Sequence, residues 1–222
     1  MTADGDFKAL VFSKTAGFRH DSIPAGIAAI KKLGDENGFA THATEDAVIF
    51  KSDSLAKFAV VVFLNTSGDI LDSAQKAALQ TYISNGGGFV GIHSASDTEY
   101  NWPWYGELVG AYFQNHPQIQ TATVVVNDSS HVSTAHLPSQ WTRTDEWYNF
   151  RTHPSDRVQV LLRVDENTYS GGSMGAAHPV AWYHEFDDGR AWYTAMGHTK
   201  ESYSETLFLQ HLLGGIQWAA GR

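Results

Sequence analysis

The sequence predicts an α/β fold: a flavodoxin-like three-layer sandwich with a mostly parallel central sheet and an antiparallel hairpin near the C-terminal end. Three observations carry that expectation. The run Phe58-Ala59-Val60-Val61-Val62-Phe63-Leu64 is apolar throughout, as a strand buried on both faces must be. Similar short runs alternate with stretches of helical periodicity, the pattern of a parallel sheet covered by helices. Late in the chain, Asp187-Asp188-Gly189 separates two strand-like segments, which is a hairpin signal.

The elements follow in order. Residues 7–12 form a short apolar strand. Residues 22–37 read as a helix, with Ser22 as cap, Pro24 in the first turn, and Ile23, Ile27, Ile30 and Leu33 as its apolar stripe. Gly38 stops it, and residues 39–44 and 58–64 are strands two and three. Residues 72–85 are the next helix, ending in Gly86-Gly87-Gly88 ahead of a buried strand over 89–92. The middle is less regular: a short helix within 102–112, then strands over 119–127 and 157–164. Residues 179–186 and 190–195 flank the hairpin turn, and 204–219 form a terminal helix. Gly214-Gly215 inside that helix costs about 1 kcal/mol per glycine relative to alanine, which points to close approach of a neighbouring backbone. With no internal repeat or linker, residues 1–222 read as one domain.

Composition narrows the chemistry. The chain has 222 residues, 15 Lys+Arg against 24 Asp+Glu, and a net charge of −9. Nucleic acid and anionic membrane are therefore not the expected partners. No apolar run approaches the roughly 20 residues that span a bilayer. Residues 1–7 are polar, without the apolar core of a signal peptide. The compartment stays open between cytoplasm and a domain cut from a secreted multidomain chain. The absence of cysteine removes disulfides, thiolate metal sites and every cysteine nucleophile. What stands out is 11 His together with 7 Trp, 9 Tyr and 12 Phe, suited to a site that stacks rings and moves protons or binds metal.

In an open parallel sheet, ligands bind beyond the carboxyl ends of the strands. The segments placed there are 13–21, 65–68, 93–97 and 197–199, and three of the four contain a histidine: His20, His93 and His198. Gly91-Ile92-His93-Ser94-Ala95 has the small-residue spacing of a nucleophile elbow, with His93 at the apex. There it fits a general base, a metal ligand, a donor to a substrate oxygen, or a histidine satisfied by neighbouring backbone. Glu146, next to Asp145 and among Trp141, Trp147 and Tyr148, is expected to be desolvated with a raised pKa. His20, His93, His198 and Glu146 are the candidate catalytic set and, equally, candidate ligands for a divalent metal. Candidates for substrate binding are Arg19, Asn65, Trp102, Trp104, His116 and Tyr148. Arg19 is as well suited to a surface ion pair, the tryptophans to an aromatic cluster, and Asn65 to a turn. His178 reads as structural.

The ordered set Gly17-Phe18-Arg19-His20-Asp21-Ser22-Ile23, Gly91-Ile92-His93-Ser94-Ala95, Trp102-Pro103-Trp104-Tyr105, His116-Pro117, Asp145-Glu146-Trp147-Tyr148-Asn149-Phe150, His178-Pro179-Val180-Ala181-Trp182 and Gly197-His198-Thr199 closely resembles the trehalose-utilisation (ThuA-like) family over residues 8–219. The resemblance implies a class I glutamine amidotransferase-like fold and a role in carbohydrate metabolism, with a glycoside or its 3-keto form as substrate. Amidotransferase chemistry itself is excluded, because the apex of the elbow is His93 rather than cysteine. The expectation is a lyase, hydrolase or isomerase using His/Glu acid–base catalysis, with metal assistance open. The alternative is a non-catalytic carbohydrate-binding module that keeps the fold.

Overall fold

A computed structural model describes residues 7–154 and 156–222. The expectation that residues 1–6 are a polar N-terminus lies outside the described residues. The elements run β1 (Phe7–Phe12), α1 (Ile23–Asn37), β2 (Phe39–Thr44), α2 (Ser52–Leu55), β3 (Val60–Leu64), α3 (Ser73–Ser84), β4 (Gly88–Ile92) and α4 (Pro103–Val109). They continue β5 (Phe113–Asn115), β6 (Gln120–Val126), β7 (Gln140–Asp145), β8 (Asn149–Phe150), β9 (Gln159–Val164), β10 (Pro179–Phe186), β11 (Gly189–Thr194) and α5 (Thr206–Ala219).

Nine strands form one sheet in the order β2-β1-β3-β4-β11-β10-β9-β6-β7, and β5 pairs with β8 apart from it. From β2 to β11 the neighbours are parallel. Beyond β11 every pairing is antiparallel. The α/β class, the parallel core and the C-terminal hairpin therefore stand as the sequence predicts. The antiparallel part is larger than one hairpin, because β9, β6 and β7 join it.

Side-chain alternation shows how the sheet is covered. Trp192 packs against Gly215 and His211 of α5. Phe89, whose partner Ala191 is one residue out of phase with Trp192, meets Tyr105 of α4. The two helices thus lie on opposite faces. All five residues of β3 are buried, which is why that strand is continuously apolar. Helix α3 begins with a capping box in which Asp72 and Gln75 satisfy each other's backbone N–H. Ser22 makes no capping bond with its side chain at α1; its hydroxyl accepts from Asn65 Nδ2 at 3.0 Å instead. A Cβ on Gly214 would lie 2.5 Å from Ser133 Cα, and one on Gly215 2.5 Å from the Trp192 ring, so the terminal helix does press on its neighbours there. Among the described residues no helix is long and apolar enough to cross a membrane.

Candidate active site

The paired residues Thr194, Ile92 and Leu64 place the carboxyl ends of β11, β4 and β3 side by side. Each step from β11 through β10, β9 and β6 to β7 reverses the chain, so after four reversals β7 points the same way as the parallel strands. Its last residue, Asp145, and the following Glu146 reach the same rim. There Asp145 Oδ2 accepts from Gly197 N at 2.9 Å and Oδ1 from His198 N at 3.1 Å. Asp145 also accepts from the backbone of Glu146 and is ion-paired with buried Arg143, which in turn reaches Glu205. Burial opposes ionisation of Asp145, but the Arg143 guanidinium and these donors hold its carboxyl below the usual range. This buried carboxylate fastens two strand ends together and positions both Glu146 and His198.

His93 occupies the apex of the elbow. Its φ is +50°, the left-handed region that a side chain adopts at a cost of about 1–3 kcal/mol. Gly91 and Ala95 permit the turn: a Cβ on Gly91 would sit 3.2 Å from that of Ala95 and 2.9 Å from the Tyr193 ring. Residues 93–97 form a short 3₁₀ helix instead of opening a long α-helix. His93 Nδ1 lies 2.6 Å from Ala195 O. A carbonyl only accepts, so Nδ1 carries a proton and Nε2 turns to the cluster. Nε2 lies 3.3 Å from Glu146 Oε2 and 3.2 Å from His198 Nδ1, while His198 Nδ1 is 3.1 Å from the same Oε2. His20 enters from the loop after β1, with its Nδ1 3.3 Å from Ser94 Oγ.

His20, His93 and His198 stand nearly perpendicular to one another, with centroids 4.8, 5.0 and 5.2 Å apart. With Glu146 they offer four ligand atoms, all within 4.8 Å of each other, and are the residues that could hold a metal. Burial, reinforced by the neighbouring imidazoles His93 and His198, pushes His20 down to about 2, so it is neutral. For Glu146 burial opposes ionisation, but the facing imidazoles of His198 and His93 hold its carboxyl well below the usual carboxylate range. The raised pKa expected from its aromatic surroundings is thus reversed, because imidazoles rather than rings of Trp141 and Trp147 face the carboxylate. Burial works against the His198 imidazolium, and the hydrogen bond to Glu146 outweighs it, so its pKa is raised.

A cavity of about 280 Å³ opens over the cluster, lined by Phe18, His20, Asp97, Phe113, His116, Glu146, Tyr148 and His198. His116 Nδ1 is 3.1 Å from Glu146 Oε1 and 2.9 Å from Pro117 O, and its side chain is 41% exposed. Tyr148 lies against His93 with ring centroids 4.1 Å apart. Its backbone carbonyl accepts from His178 Nε2 at 2.8 Å, and the same His178 is 2.8 Å from Glu166, so His178 anchors this segment from behind.

The structure brings together His20, His93, His198, Glu146, His116 and Tyr148. It does not bring in the other four candidates. Arg19 is exposed and bidentate with Glu45. Asn65 is fully buried and donates to Ser22 and Gly197 O. Trp102 stacks on Trp104 under Lys76, and Trp104 meets Phe186. Strand-end position locates a backbone, not the direction of a side chain. Phe18, Asp97 and Phe113 are lining residues that sequence reasoning missed. The first two sit in the strand-end segments, while Phe113 gives no sequence signal.

Fold and site define an α/β protein with a histidine–carboxylate centre at the carboxyl rim of its sheet. The chain belongs to the ThuA, trehalose utilisation, family, whose model matches residues 8–219. A ThuA-like protein from Bacteroides uniformis is 25% identical, with TM-score 0.80 over 96% of this chain and 91% of its own. One from Parabacteroides merdae is 19% identical, with TM-score 0.80 over 96% and 90%. The β-galactosidase from Bacillus circulans sp. alkalophilus shares the fold at 13% identity and TM-score 0.60, over 98% of this chain and 31% of the galactosidase. No curated protein matches the chain significantly.

Proposed function

We propose that the protein is a carbohydrate-active enzyme acting on a glycoside or its 3-keto form, a small carbohydrate being its natural partner. Membership of a family described by trehalose utilisation supports the substrate class. The observation that carries the catalytic reading is Glu146, set between His93, His198 and His116 at the floor of a cavity whose walls include Phe18, Phe113 and Tyr148. Rings of that kind suit the apolar faces of a sugar, and the polar floor suits reacting oxygens.

A ketone at C3 acidifies the proton on C2. A base takes that proton, the electron pair forms the C1=C2 bond, and the C1–O bond breaks. The departing oxygen needs a proton, and the negative charge developing on the C3 oxygen needs a positive or donating partner. His116 is the accessible imidazole: its Nδ1–H is held by Pro117 O and Glu146, leaving Nε2 free to carry the proton between C2 and the leaving oxygen. We assign the C3 oxygen to the side of the four-group cluster. Water adding to the product enone would make the net reaction a hydrolysis.

The test offers 3-keto-trehalose, 3-keto-glucosides and the unoxidised glycosides, following free sugar and enone absorbance. Turnover of keto substrates only, abolished by Glu146→Gln in a folded chain, is the expected result. Binding of keto and unoxidised sugars without turnover would make the protein a carbohydrate-binding module instead.

A further inference from the structure

We infer that His20, His93, His198 and Glu146 form a mononuclear site for a divalent transition-metal cation, with a coordination position open to the cavity. The argument starts from hydrogens. His93 spends its Nδ1–H on Ala195 O, so in the neutral ring Nε2 presents a lone pair. That lone pair faces Glu146 Oε2 at 3.3 Å, another acceptor. His198 Nδ1 is within 3.2 Å of both atoms, but one proton there serves one of them well and leaves the other opposed. Two buried acceptors, His93 Nε2 and Glu146 Oε2, thus converge with the half-buried His198 ring on one point where a single proton cannot satisfy them both, and a cation would.

Distances fit the same answer. Ligands about 2.05 Å from a tetrahedral centre lie about 3.4 Å apart. The three edges among His93 Nε2, His198 Nδ1 and Glu146 Oε2 are 3.1, 3.2 and 3.3 Å, and the fourth ligand atom lies within 4.8 Å of each. The imidazoles of His20, His93 and His198 meet edge to face, so their nitrogens can converge without the rings stacking over one another. The outer partners are those a metal site needs. His93 is oriented by a carbonyl, His20 Nδ1 is beside Ser94 Oγ, and Asp145 holds the backbones of Glu146 and His198.

Three imidazoles and one carboxylate select a borderline cation such as Zn²⁺, Ni²⁺, Co²⁺ or Fe²⁺ over Mg²⁺ or Ca²⁺, which prefer oxygen throughout. His93 closes the base of the site, being fully buried, while His20, His198 and Glu146 border the cavity. A substrate oxygen therefore has access from one side, the mark of a catalytic rather than a structural centre. The cation's role as holder of the C3 oxygen rests on the carbohydrate reading; its binding does not.

The experiment uses the full chain purified without a polyhistidine tag, stripped with chelator and titrated with Zn²⁺ and Co²⁺ in the absence of sugar. Elemental analysis and the visible spectrum of Co²⁺ are the readouts. One metal per chain is expected, with a low-symmetry Co²⁺ spectrum. His198→Ala and Glu146→Gln should each weaken binding at least tenfold, and exposed His42→Ala should leave it unchanged. Circular dichroism of stripped and variant chains separates lost ligands from lost folding. Stoichiometry well below one in the folded wild-type chain, or binding unmoved in a folded His198→Ala/Glu146→Gln double variant, overturns the site. Turnover of keto sugars by a folded wild-type chain that takes up no metal in the titration would overturn it while leaving the carbohydrate reading intact. Metal bound without turnover would do the reverse.

Discussion

His116 differs from its three neighbours in one respect that decides its role. It touches Glu146 Oε1, while His93 and His198 share Oε2. Glu146 thus links an enclosed cluster to an exposed imidazole through its two oxygens. His116→Ala is expected to lower kcat for keto sugars by about 10²–10⁴, the usual contribution of a proton-transfer group, while the metal content stays at one per chain. Steady-state kinetics and elemental analysis on one preparation check both halves. If metal and turnover fall together, His116 is holding the cluster instead of moving protons. The imidazoles His20, His93 and His198 were legible in the sequence because each follows an apolar strand or its short loop. Asn65 follows a strand just as directly, yet turns inward to Ser22 and Gly197. Periodicity contains no information on that choice.

At the scale of elements, the parallel half was readable because burial on both faces leaves an unbroken apolar run. Strand β7 escaped for the opposite reason. Its inward residues are Trp141, Arg143 and Asp145, so two of its three buried positions are charged. They are satisfied by each other and by Glu205 and Ser202. A strand whose hidden face is an ion pair has no hydrophobic alternation to detect, and this strand delivers Glu146. Strands β5 and β8, three and two residues long, are too short for any pattern. Helix α5 carries a prediction of opposite sign to the usual rule. Alanine in place of glycine inside a helix normally gains about 1 kcal/mol. At Gly214 the new Cβ would lie 2.5 Å from Ser133 Cα, a backbone atom. Gly214→Ala should therefore destabilise the chain by about 1–3 kcal/mol, seen as a lower urea midpoint at unchanged slope.

For the molecule as a whole, acid is the expected weakness. His211 is fully buried, its Nδ1 bonded to Ser133 O at 2.8 Å, and burial pushes its pKa down from 6.5 to about 3. Above pH 6.5 both folded and unfolded chains hold it neutral, and it makes no demand. As pH falls from 6.5 towards 3, the unfolded chain takes up the proton and the folded chain does not, so stability declines by up to about 1.4 kcal/mol per pH unit. His211→Asn keeps a donor for Ser133 O and removes the titration. Its unfolding free energy should depend on pH less steeply than the wild type's across that window, measured by urea unfolding at successive pH values. Equal slopes would show that His211 does not titrate in this way.

The residues of the centre are strung from position 20 to position 198 and come from both halves of a mixed sheet. A ribosome making this chain delivers two imidazoles early, the carboxylate later, and the last imidazole only just ahead of α5. No nascent fragment that stops short of residue 198 possesses the complete centre, so the order of synthesis keeps the four groups from meeting until both halves of the sheet exist.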